Sequence, residues 1–540
     1  MYLGYAAIVL HAHLPYVRHP EADQCLEELW LMEAITETYL PLVDVMRGLL
    51  WDQVPFRLTM SITPTLAWML SDDHLQQKYM QHINKLCELA EKEVHRTRHQ
   101  PPVQEVALSY LRQFRRARQL FEDCRGRLID CFVELEAAGC LEVIASAATH
   151  GYLPLLFVNP KAVEAQIALG IETYRHFFGK DPRGFWLPEC GFAPGIDAIL
   201  AQYGISWAIL DSHGILHAEP RPRYSIFAPI YTPAGLAAFG RDWESSKQVW
   251  SAWEGYPGDY VYRDFYRDIG FDLDYEYIKP YLVDGIRGFT GIKYHRITGR
   301  GDYKEIYQPQ AAARRAAEHA GNFMFNRELQ IKYLSSKMDR PPLVTAPYDA
   351  ELFGHWWYEG PLWLDFLLRK TAYDQRVFKM VTPSEYLDMY PSHQVSMPSE
   401  SSWGNGGYHE VWLDHSNDWI YRHLHKAADR MVDLANRFPE ASGLVERTLN
   451  QAARELLLAQ ASDWAFIMKA GTMVEYACRR TQGHLVNFDE LYHQVTENRI
   501  DTGFLQALED RDNIFPKLDF RIYASDEKRA PLTVIAAGGS

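Results

Sequence analysis

An apolar run that stops abruptly at a carboxylate is the feature that most constrains this chain. The segment GFWLPECGF spans residues 184–192 and places Glu189 directly after the run. A run without polar alternation is typical of a strand buried on both faces, as in a parallel sheet. A second segment, PLVTAPYD at 342–349, ends in the same way at Asp349 and is followed by several aromatic residues. The two strand-end carboxylates indicate a pair that faces one pocket.

Other apolar runs in the chain also end in polar residues. Residues 5–10 lead into HAHLPY, residues 141–146 lead into ATHGY, and residues 207–210 close on DSH. Repeated β/α units with polar groups at the carboxyl ends of the strands predict a parallel β/α barrel, whose active site lies on that face. A doubly wound open sheet is the alternative architecture, but no Gly-x-Gly-x-x-Gly follows any of these strands.

The predicted organisation places the catalytic barrel first. We expect a barrel domain over residues 1–398, which contains a helical insertion at about 72–138 and a long aromatic-rich loop at about 229–270. The insertion is rich in Glu, Lys, Arg, Gln and Leu and shows no cluster of chemistry, so its charges are expected to form a solvated face. Loops as long as the second segment are usually functional or disordered, and the aromatic content favours function.

A helical domain is predicted to follow over residues 399–520. Beyond residue 417, apolar residues recur at three- and four-residue intervals, which is typical of amphipathic helices. The second of these helices is expected to span roughly 445–468 and to contain Asp463. Residues 521–540, which end in AAGGS, are expected to form a loose tail.

Composition excludes several classes of function. The 540 residues carry a net charge of −15, which argues against non-specific binding to nucleic acid or to an anionic membrane. Neutral or polyhydroxylated substrates fit better. The seven cysteines lack C-x-x-C spacing, and the chain shows neither a signal peptide nor an apolar run near 18 residues. We therefore expect a cytoplasmic protein with reduced thiols.

Paired carboxylates among aromatic residues favour glycoside chemistry. In a retaining mechanism one carboxylate attacks the anomeric carbon and the other protonates the leaving oxygen. The chain has 15 Trp and 32 Tyr, and flat rings with polar rims are the surfaces on which sugar rings stack. The sequence thus predicts an enzyme that acts on a sugar polymer.

Five segments, taken in order, resemble the characteristic regions of glycoside hydrolase family 57. They are HAHLPY at 11–16, THGY at 149–152, WLPECG at 186–191, YDAELFGHWW at 348–357 and the region around Trp403. The resemblance covers nearly the whole chain and includes the helical C-terminal domain that marks the 1,4-α-glucan branching enzymes of the family. It implies a seven-stranded variant of the β/α barrel, a retaining mechanism without a cofactor or metal, and an α-glucan such as amylose, glycogen or starch as substrate.

The resemblance also implies roles for individual residues. Glu189 is expected to be the nucleophile and Asp349 the general acid and base. The side chains expected to contact the glucan are those of Trp403, Trp412, Asp463, His11, His13, His150, Arg263, Arg267 and Trp356. The expected molecule is a monomer or a small homo-oligomer that binds α-glucan, without a nucleic-acid or membrane partner.

One segment departs from the pattern of the branching members. They carry a tyrosine in a mobile loop before the Phe-Gly-Arg-Asp stretch, where it helps to exclude water. This chain has PAGLAAFG at 233–240, and Tyr231 lies just outside the segment. The departure leaves α-amylase-like hydrolysis as an alternative to branching, because branching requires that a 6-hydroxyl rather than water intercept the glycosyl-enzyme.

Two alternatives come from other classes. His11 and His13 at one strand end, with Asp211 and His213 at another, have the residue types of a Zn²⁺ site in a metal-dependent mannosidase or deacetylase. A non-catalytic glucan-binding protein is the third possibility, and the presence of both carboxylates disfavours it.

Overall fold

The computed structural model describes residues 2–251, 254–299, 301 and 303–525. Most of the predicted tail, at 526–540, lies outside the described residues. Within them, nine β-strands form one sheet. The strands are β1 (Gly4–Ala12), β2 (Leu58–Ile62), β3 (Leu141–Ser146), β4 (Gly184–Trp186), β5 (Trp207–Leu210), β6 (Ile230–Tyr231), β7 (Ala237–Gly240), β8 (Leu343–Asp349) and β9 (Phe378–Met380).

Seven of these strands curl into the barrel that the sequence predicts, in the order β7-β5-β4-β3-β2-β1-β8. Two further strands lie beside them: β6 pairs with β7, and β9 pairs with β1. Every pairing is parallel except that of β6 with β7. Arg241, just after β7, forms a parallel bridge with Thr345 of β8. The sheet therefore curls until its two ends meet.

Twenty-one α-helices surround the barrel or form the C-terminal part within the described residues. They are α1 (Glu28–Ala34), α2 (Leu40–Trp51), α3 (Pro64–Leu70), α4 (Asp73–Arg96), α5 (Pro101–Asp123), α6 (Leu128–Ala137), α7 (Leu153–Leu156), α8 (Pro160–Phe178), α9 (Ile196–Gln202), α10 (Ser212–Leu216), α11 (Trp243–Trp250), α12 (Ile269–Asp272), α13 (Tyr275–Ile278), α14 (Pro309–Ser335), α15 (Gly360–Tyr373), α16 (Pro383–Met389), α17 (Trp419–Arg437), α18 (Gly443–Ala459), α19 (Ser462–Ala470), α20 (Val474–Thr496) and α21 (Thr502–Arg511). A π-helical turn over Ile35–Tyr39 joins α1 to α2.

Side chains of β1 alternate between the two sides of the curled sheet, as the period of a strand requires. Ala7 and Val9 belong to a compact cluster with Trp186 and Trp207 that fills the barrel. Ile8 belongs instead to the larger core beneath the helices. The strand is therefore apolar on both faces, which explains its unbroken apolar run.

The helical region departs from the prediction at one point that matters. The single helix expected over 445–468 is two helices, α18 and α19, separated at Gln460 and Ala461. Ala461 pairs with Gly151 in an antiparallel bridge, and the Ser462 amide donates to the His150 carbonyl at 3.2 Å. Contact with the barrel sets this break, so helical periodicity alone could not locate it.

The aromatic-rich segment at 229–270 contains more regular structure than the sequence indicates. Strand β7, an integral part of the barrel, lies within it, followed by α11 and a short 3₁₀ turn at Tyr256–Gly258. The four residues AAFG are too short a run to be distinguished from a loop by pattern. Among the described residues, no helix combines the length and apolarity that crossing a membrane requires.

Close packing of α8 against β3 generates a prediction about stability. A Cβ added to Gly170 would lie 1.9 Å from the Ser146 carbonyl oxygen, whereas one added to Gly483 of α20 meets nothing within 4 Å. Both glycines are helical. We expect Gly170→Ala to destabilise the protein by about 1–3 kcal/mol through overpacking, and Gly483→Ala to be neutral or stabilising by up to about 1 kcal/mol. Urea unfolding of the two variants measures the difference, and equal midpoints would contradict the packing.

Candidate active site

Polar residues gather where the strands of the barrel end. His11 of β1 is in register with Ser61 of β2 on one side and with Asp349 of β8 on the other. The loops that follow the other strands bring further polar groups to the same edge, as in other β/α barrels. Those groups are His13, Thr63, His150, Glu189, Asp211 and Arg241.

Glu189 is held in a left-handed backbone conformation directly after β4. Its φ is 60°, and that of Cys190 is 50°. Such values are uncommon outside glycine and are found at sites where the surroundings impose them. Trp403 imposes them here, because its amide donates to the Glu189 carbonyl at 3.0 Å and its indole Nε1 donates to Oε2 at 2.8 Å. These two hydrogen bonds fix the orientation of the Glu189 carboxylate.

Three histidines stack beside this carboxylate. The rings of His13 and His150 lie 3.8 Å apart, and the Nε2 atoms of His11 and His150 are 3.0 Å apart. His150 Nδ1 lies 2.9 Å from the Ser462 hydroxyl and 3.9 Å from Glu189 Oε1. His13 Nε2 contacts both carboxylate oxygens of Asp463, at 3.0 and 3.1 Å. The helix α19 therefore contributes directly to the site.

The pKa values of the stacked histidines shift in opposite directions. Burial alone would lower the pKa of His13, but the charge of Asp463 and their hydrogen bond raise the pKa overall. Burial, together with the charge of His13, lowers the pKa of His11 and of His150 well below the ordinary value. The stack therefore joins one histidine of raised pKa to two of lowered pKa, and both ring nitrogens of His11 and of His150 already contact protein groups.

A third carboxylate, that of Glu351, follows Asp349 by two residues. Glu351 Oε1 accepts hydrogen bonds from the Tyr39 hydroxyl at 2.5 Å and from the His13 amide at 3.1 Å. Tyr39 lies in the π-helical turn, and no feature of the sequence points to it. The motif at 348–357 contains Glu351 but gives it no separate role.

Burial sets the protonation of the carboxylates. It raises the pKa of Glu189 to about 7, while the hydrogen bond from Trp403 opposes the rise. Burial also raises the pKa of Asp349 well above its ordinary value; the negative charges of Glu351 and Glu189 add to the rise, and Arg241 opposes it. A carboxyl that stays protonated beside one that ionises more readily is the arrangement required of a general acid and a nucleophile.

Two tryptophans follow in the segment at 399–418. Trp403 packs edge-on against Trp186, and the Arg241 guanidinium lies 5.3 Å from its ring centre. Trp412 is only 1% exposed and stacks on Tyr152 at 4.4 Å. Trp412 therefore supports the wall of the site in this structure, and its contact with glucan stays a prediction.

The remaining predicted contacts lie in a neighbouring aromatic cluster. Trp356 is 55% exposed and stacks on Phe265 at 4.6 Å. Arg263 is buried with its guanidinium 4.2 Å from the Tyr358 ring centre, and Arg267 pairs with Asp272 at 3.1 Å. Trp356 offers a free ring face to a ligand, whereas the two arginines are engaged with protein groups.

The four residues of the zinc alternative are not brought together. Asp211 pairs with His213 at 3.0 Å and with Arg241 at 3.1 Å, while His213 Nε2 contacts the Gly407 carbonyl. His11 and His13 belong to the other cluster. Donor atoms of His13, His150 and Asp463 do lie within 4.8 Å of one another. Within this group, His13 and Asp463 are hydrogen-bonded to each other, and the rings of His13 and His150 are stacked.

The segment that lacks the expected tyrosine is a tight turn between β6 and β7. The amides of Thr232 and Gly235 close it, at 2.8 and 2.9 Å. Ala237, which follows the turn, is in register with Trp207, and Trp207 with Gly184 at the start of β4. The turn therefore lies at the opposite edge of the barrel from Glu189. Tyr231 bonds to the Pro391 carbonyl there, at 3.2 Å.

Two family models match the chain. Residues 7–398 match the model described as glycosyl hydrolase family 57. The chain belongs to this family. Residues 423–523 match the model described as 1,4-alpha-glucan branching enzyme, C-terminal. The family 57 resemblance read from the five motifs is thereby confirmed, including its C-terminal part.

Individual proteins also resemble the chain over most of its length. The 1,4-alpha-glucan branching enzyme TK1436 of Thermococcus kodakarensis is 34% identical, over 97% of this chain and 79% of that protein. The crystal structure of the branching enzyme of Pyrococcus horikoshii matches with 34% identity and a TM-score of 0.88, covering 98% of each chain. That of the alpha-amylase AmyC of Thermotoga maritima matches with 46% identity and a TM-score of 0.91, covering 97% of this chain and 99% of that one.

Glu351 yields a prediction about pH dependence. The charge of Glu351 raises the pKa of Asp349, so Glu351→Gln should lower it. Loss of the protonated acid limits activity at high pH, and the basic limb of the kcat/KM profile should therefore move to lower pH. The acid limb, which reports the ionisation of Glu189, should stay near 7. Glu318→Gln, at a solvent-exposed position of α14, is the control and should leave both limbs in place. An unmoved basic limb in Glu351→Gln would contradict this electrostatic role.

Proposed function

We propose that Glu189 is the nucleophile and Asp349 the general acid and base of a retaining transfer reaction on α-1,4-glucan. The activity is that of a 1,4-α-glucan branching enzyme, which cleaves an α-1,4 bond and joins the freed segment to a 6-hydroxyl. The observation that carries the assignment of roles is the pair of part-buried carboxyls at the carboxyl ends of β4 and β8, only one of which is held by an indole hydrogen bond.

The first step follows from this geometry. Ionised Glu189 attacks the anomeric carbon while Asp349 gives its proton to the departing glycosidic oxygen, so that a glycosyl ester forms on Glu189. Trp403 donates to the carboxylate oxygen and fixes its direction. His150 lies 3.9 Å from Glu189 and is held there by Ser462 and His11, so these groups form one fixed wall beside the attacked sugar.

The second step reverses the proton transfer. Asp349, now ionised, removes the proton from the 6-hydroxyl of an acceptor glucan as that oxygen attacks the anomeric carbon and Glu189 departs. The acceptor competes with water, so it must be held at a high effective concentration in a site that excludes solvent. Trp356 and Phe265 form an exposed aromatic stack beside the motif of Asp349 that suits this task.

Hydrolysis of the α-amylase kind is the second candidate. The 46% identical protein of Thermotoga maritima is described as an alpha-amylase. The missing tyrosine of the β6–β7 turn does not distinguish the two reactions, because this turn lies at the opposite edge of the barrel from Glu189. Branching is better supported, because the C-terminal model and the curated relative from Thermococcus kodakarensis are both of branching enzymes. Both reactions share the first step and differ only in the acceptor.

Incubation with amylose tests the proposal. We expect α-1,6 linkages to grow in the proton NMR spectrum while few new reducing ends form. Glu189→Gln should abolish both signals, because no glycosyl ester can form, and Asp349→Asn should slow the reaction by about 10²–10⁴-fold. Reducing ends that rise without α-1,6 signal would identify a hydrolase. An active Glu189→Gln variant would overturn the assignment of the nucleophile.

The aromatic stack gives a separate prediction about binding. Trp356→Ala removes an exposed ring face, and we expect a loss of about 1–2 kcal/mol in glucan binding, or roughly five- to thirtyfold in KM for amylose. The value of kcat should change little, because binding that is equal in ground and transition states affects only KM. Trp51→Ala is the matched control at a tryptophan 87% exposed. Equal KM values in the two variants would exclude a glucan contact at Trp356.

A further inference from the structure

A histidine at the carboxyl edge of the barrel has both of its ring nitrogens beside oxygen atoms. His213 lies in the short helix α10, which follows β5. Its Nδ1 is 3.0 Å from Asp211 Oδ1, and its Nε2 is 2.6 Å from the Gly407 carbonyl oxygen. An ionised carboxylate and a carbonyl can only accept hydrogen bonds. A neutral imidazole has a single N–H and makes one of these two bonds, whereas an imidazolium makes both.

The Asp211 carboxylate is itself held in place. Its other oxygen, Oδ2, accepts a hydrogen bond from Arg241 Nη1 at 3.1 Å, and Arg241 Nε donates to Ser246 Oγ at 2.9 Å. Asp211 and Arg241 are both buried. Rotation of the carboxylate away from His213 would also break its bond to Arg241, which is costly in a buried ion pair. Asp211 therefore fixes the orientation of the histidine ring.

The carbonyl that His213 contacts belongs to a turn that carries Trp403. The Gly407 carbonyl accepts from the Ser402 amide at 2.9 Å as well as from His213. Trp403 lies inside this turn at 402–407 and donates to Glu189 through its amide, at 3.0 Å, and through Nε1, at 2.8 Å. His213 thus holds the turn that fixes the orientation of the Glu189 carboxylate.

The turn packs closely on the histidine ring. Gly406 and Gly407 both have a φ of 83°, a conformation that residues other than glycine adopt only with strain. A Cβ added to Gly407 would lie 3.0 Å from Cε1 and 3.1 Å from Nε2 of His213. One added to Gly406 would have the exposed Glu410 carboxylate as its nearest neighbour. The two glycines therefore share the same backbone constraint, but of the two it is Gly407 that lies against the ring.

We propose that His213 is a positioning residue for the transfer reaction. With Asp211 behind it, His213 holds the turn at 402–407 so that Trp403 keeps its hydrogen bond to the Glu189 carboxylate. This role presupposes the proposed identity of Glu189 as the nucleophile. His213 acts through the turn and makes no contact with the sugar, so its loss should affect kcat far more than KM.

The acid limb of the pH profile reports whether the turn is in place. Burial raises the pKa of Glu189 to about 7, and the hydrogen bond from Trp403 opposes the rise. The nucleophile acts as an anion, so a weaker hydrogen bond raises this pKa and moves the acid limb of kcat/KM to higher pH. Trp403→Phe keeps an aromatic ring but lacks the indole N–H. It therefore sets the shift expected when the bond is lost.

His213→Phe tests the two hydrogen bonds, because phenylalanine keeps a ring and lacks both N–H groups. We expect its acid limb to move to higher pH by up to the shift of Trp403→Phe, and kcat to fall by about ten- to a hundredfold. The rate is that of amylose cleavage, followed by the loss of iodine staining, which branching and hydrolysis both cause. His217→Phe, the same change at an exposed position just beyond α10, is the control and should keep the wild-type profile.

Two glycine variants test the same role with the histidine intact. Gly407→Ala should push the turn away from His213 and move the acid limb to higher pH. Gly406→Ala carries the same φ constraint and should move the limb less. In a Trp403→Phe background, His213→Phe should add no further shift, because the hydrogen bond through which it acts is already absent.

Three results would overturn the proposal. They are a wild-type acid limb in folded His213→Phe, equal shifts in the two glycine variants, and a second full shift in the double variant. Circular dichroism shows whether each variant is folded, and if His213→Phe is not, the comparison of the glycine variants decides. Failure of the proposed function would look different, because Glu189→Gln would then remain active. An inactive Glu189→Gln with a wild-type limb in His213→Phe would remove only the role of His213.

Discussion

The hydrogen bond between His13 and Asp463 joins the two parts of the chain on which the active site depends. His13 follows the first strand of the barrel, and Asp463 stands in the first turn of a helix 450 residues later. The same contact includes Ser462 bonded to His150 and Ala461 bridged to Gly151. The barrel alone therefore presents an incomplete set of side chains. The helical region is therefore part of the candidate site, because it raises the pKa of one histidine and holds another in position.

Burial is the largest influence on the pKa values of the carboxyls in the site. Glu189, Asp349 and Glu351 are three carboxyls in one pocket, and burial raises the pKa of each. The pKa values of the three carboxyls differ because their hydrogen bonding is unequal. Trp403 donates to Glu189, and Tyr39 donates to Glu351. Asp349 has neither support and lies near the charges of the other two. The carboxyl with the least stabilised anion is thus the one to which the proposed mechanism gives the proton.

The sequence predicts the parts of this molecule that repeat a simple pattern. The barrel follows from apolar runs that end in polar residues, and Glu189 and Asp349 stand out because each interrupts such a run. Tyr39 and Ser462 could not be found in this way. One lies in a π-helical turn and the other at a helix break set by contact with the barrel, so that each reaches the site through tertiary packing alone. Strand β7 could not be predicted for another reason. Its four residues, AAFG, are too few to show the periodicity of a strand.

Control of water in this protein must come from the carboxyl edge of the barrel. The β6–β7 turn lies at the other edge and cannot cover Glu189. At the catalytic edge, Ser401 pairs with Phe192 in an antiparallel bridge and Trp403 bonds to Glu189 through both its amide and its ring. These contacts tie the segment at 399–418 to the proposed nucleophile. On the proposed mechanism, we expect the choice between a glucan hydroxyl and water to depend on how closely this segment and α19 enclose the glycosyl ester.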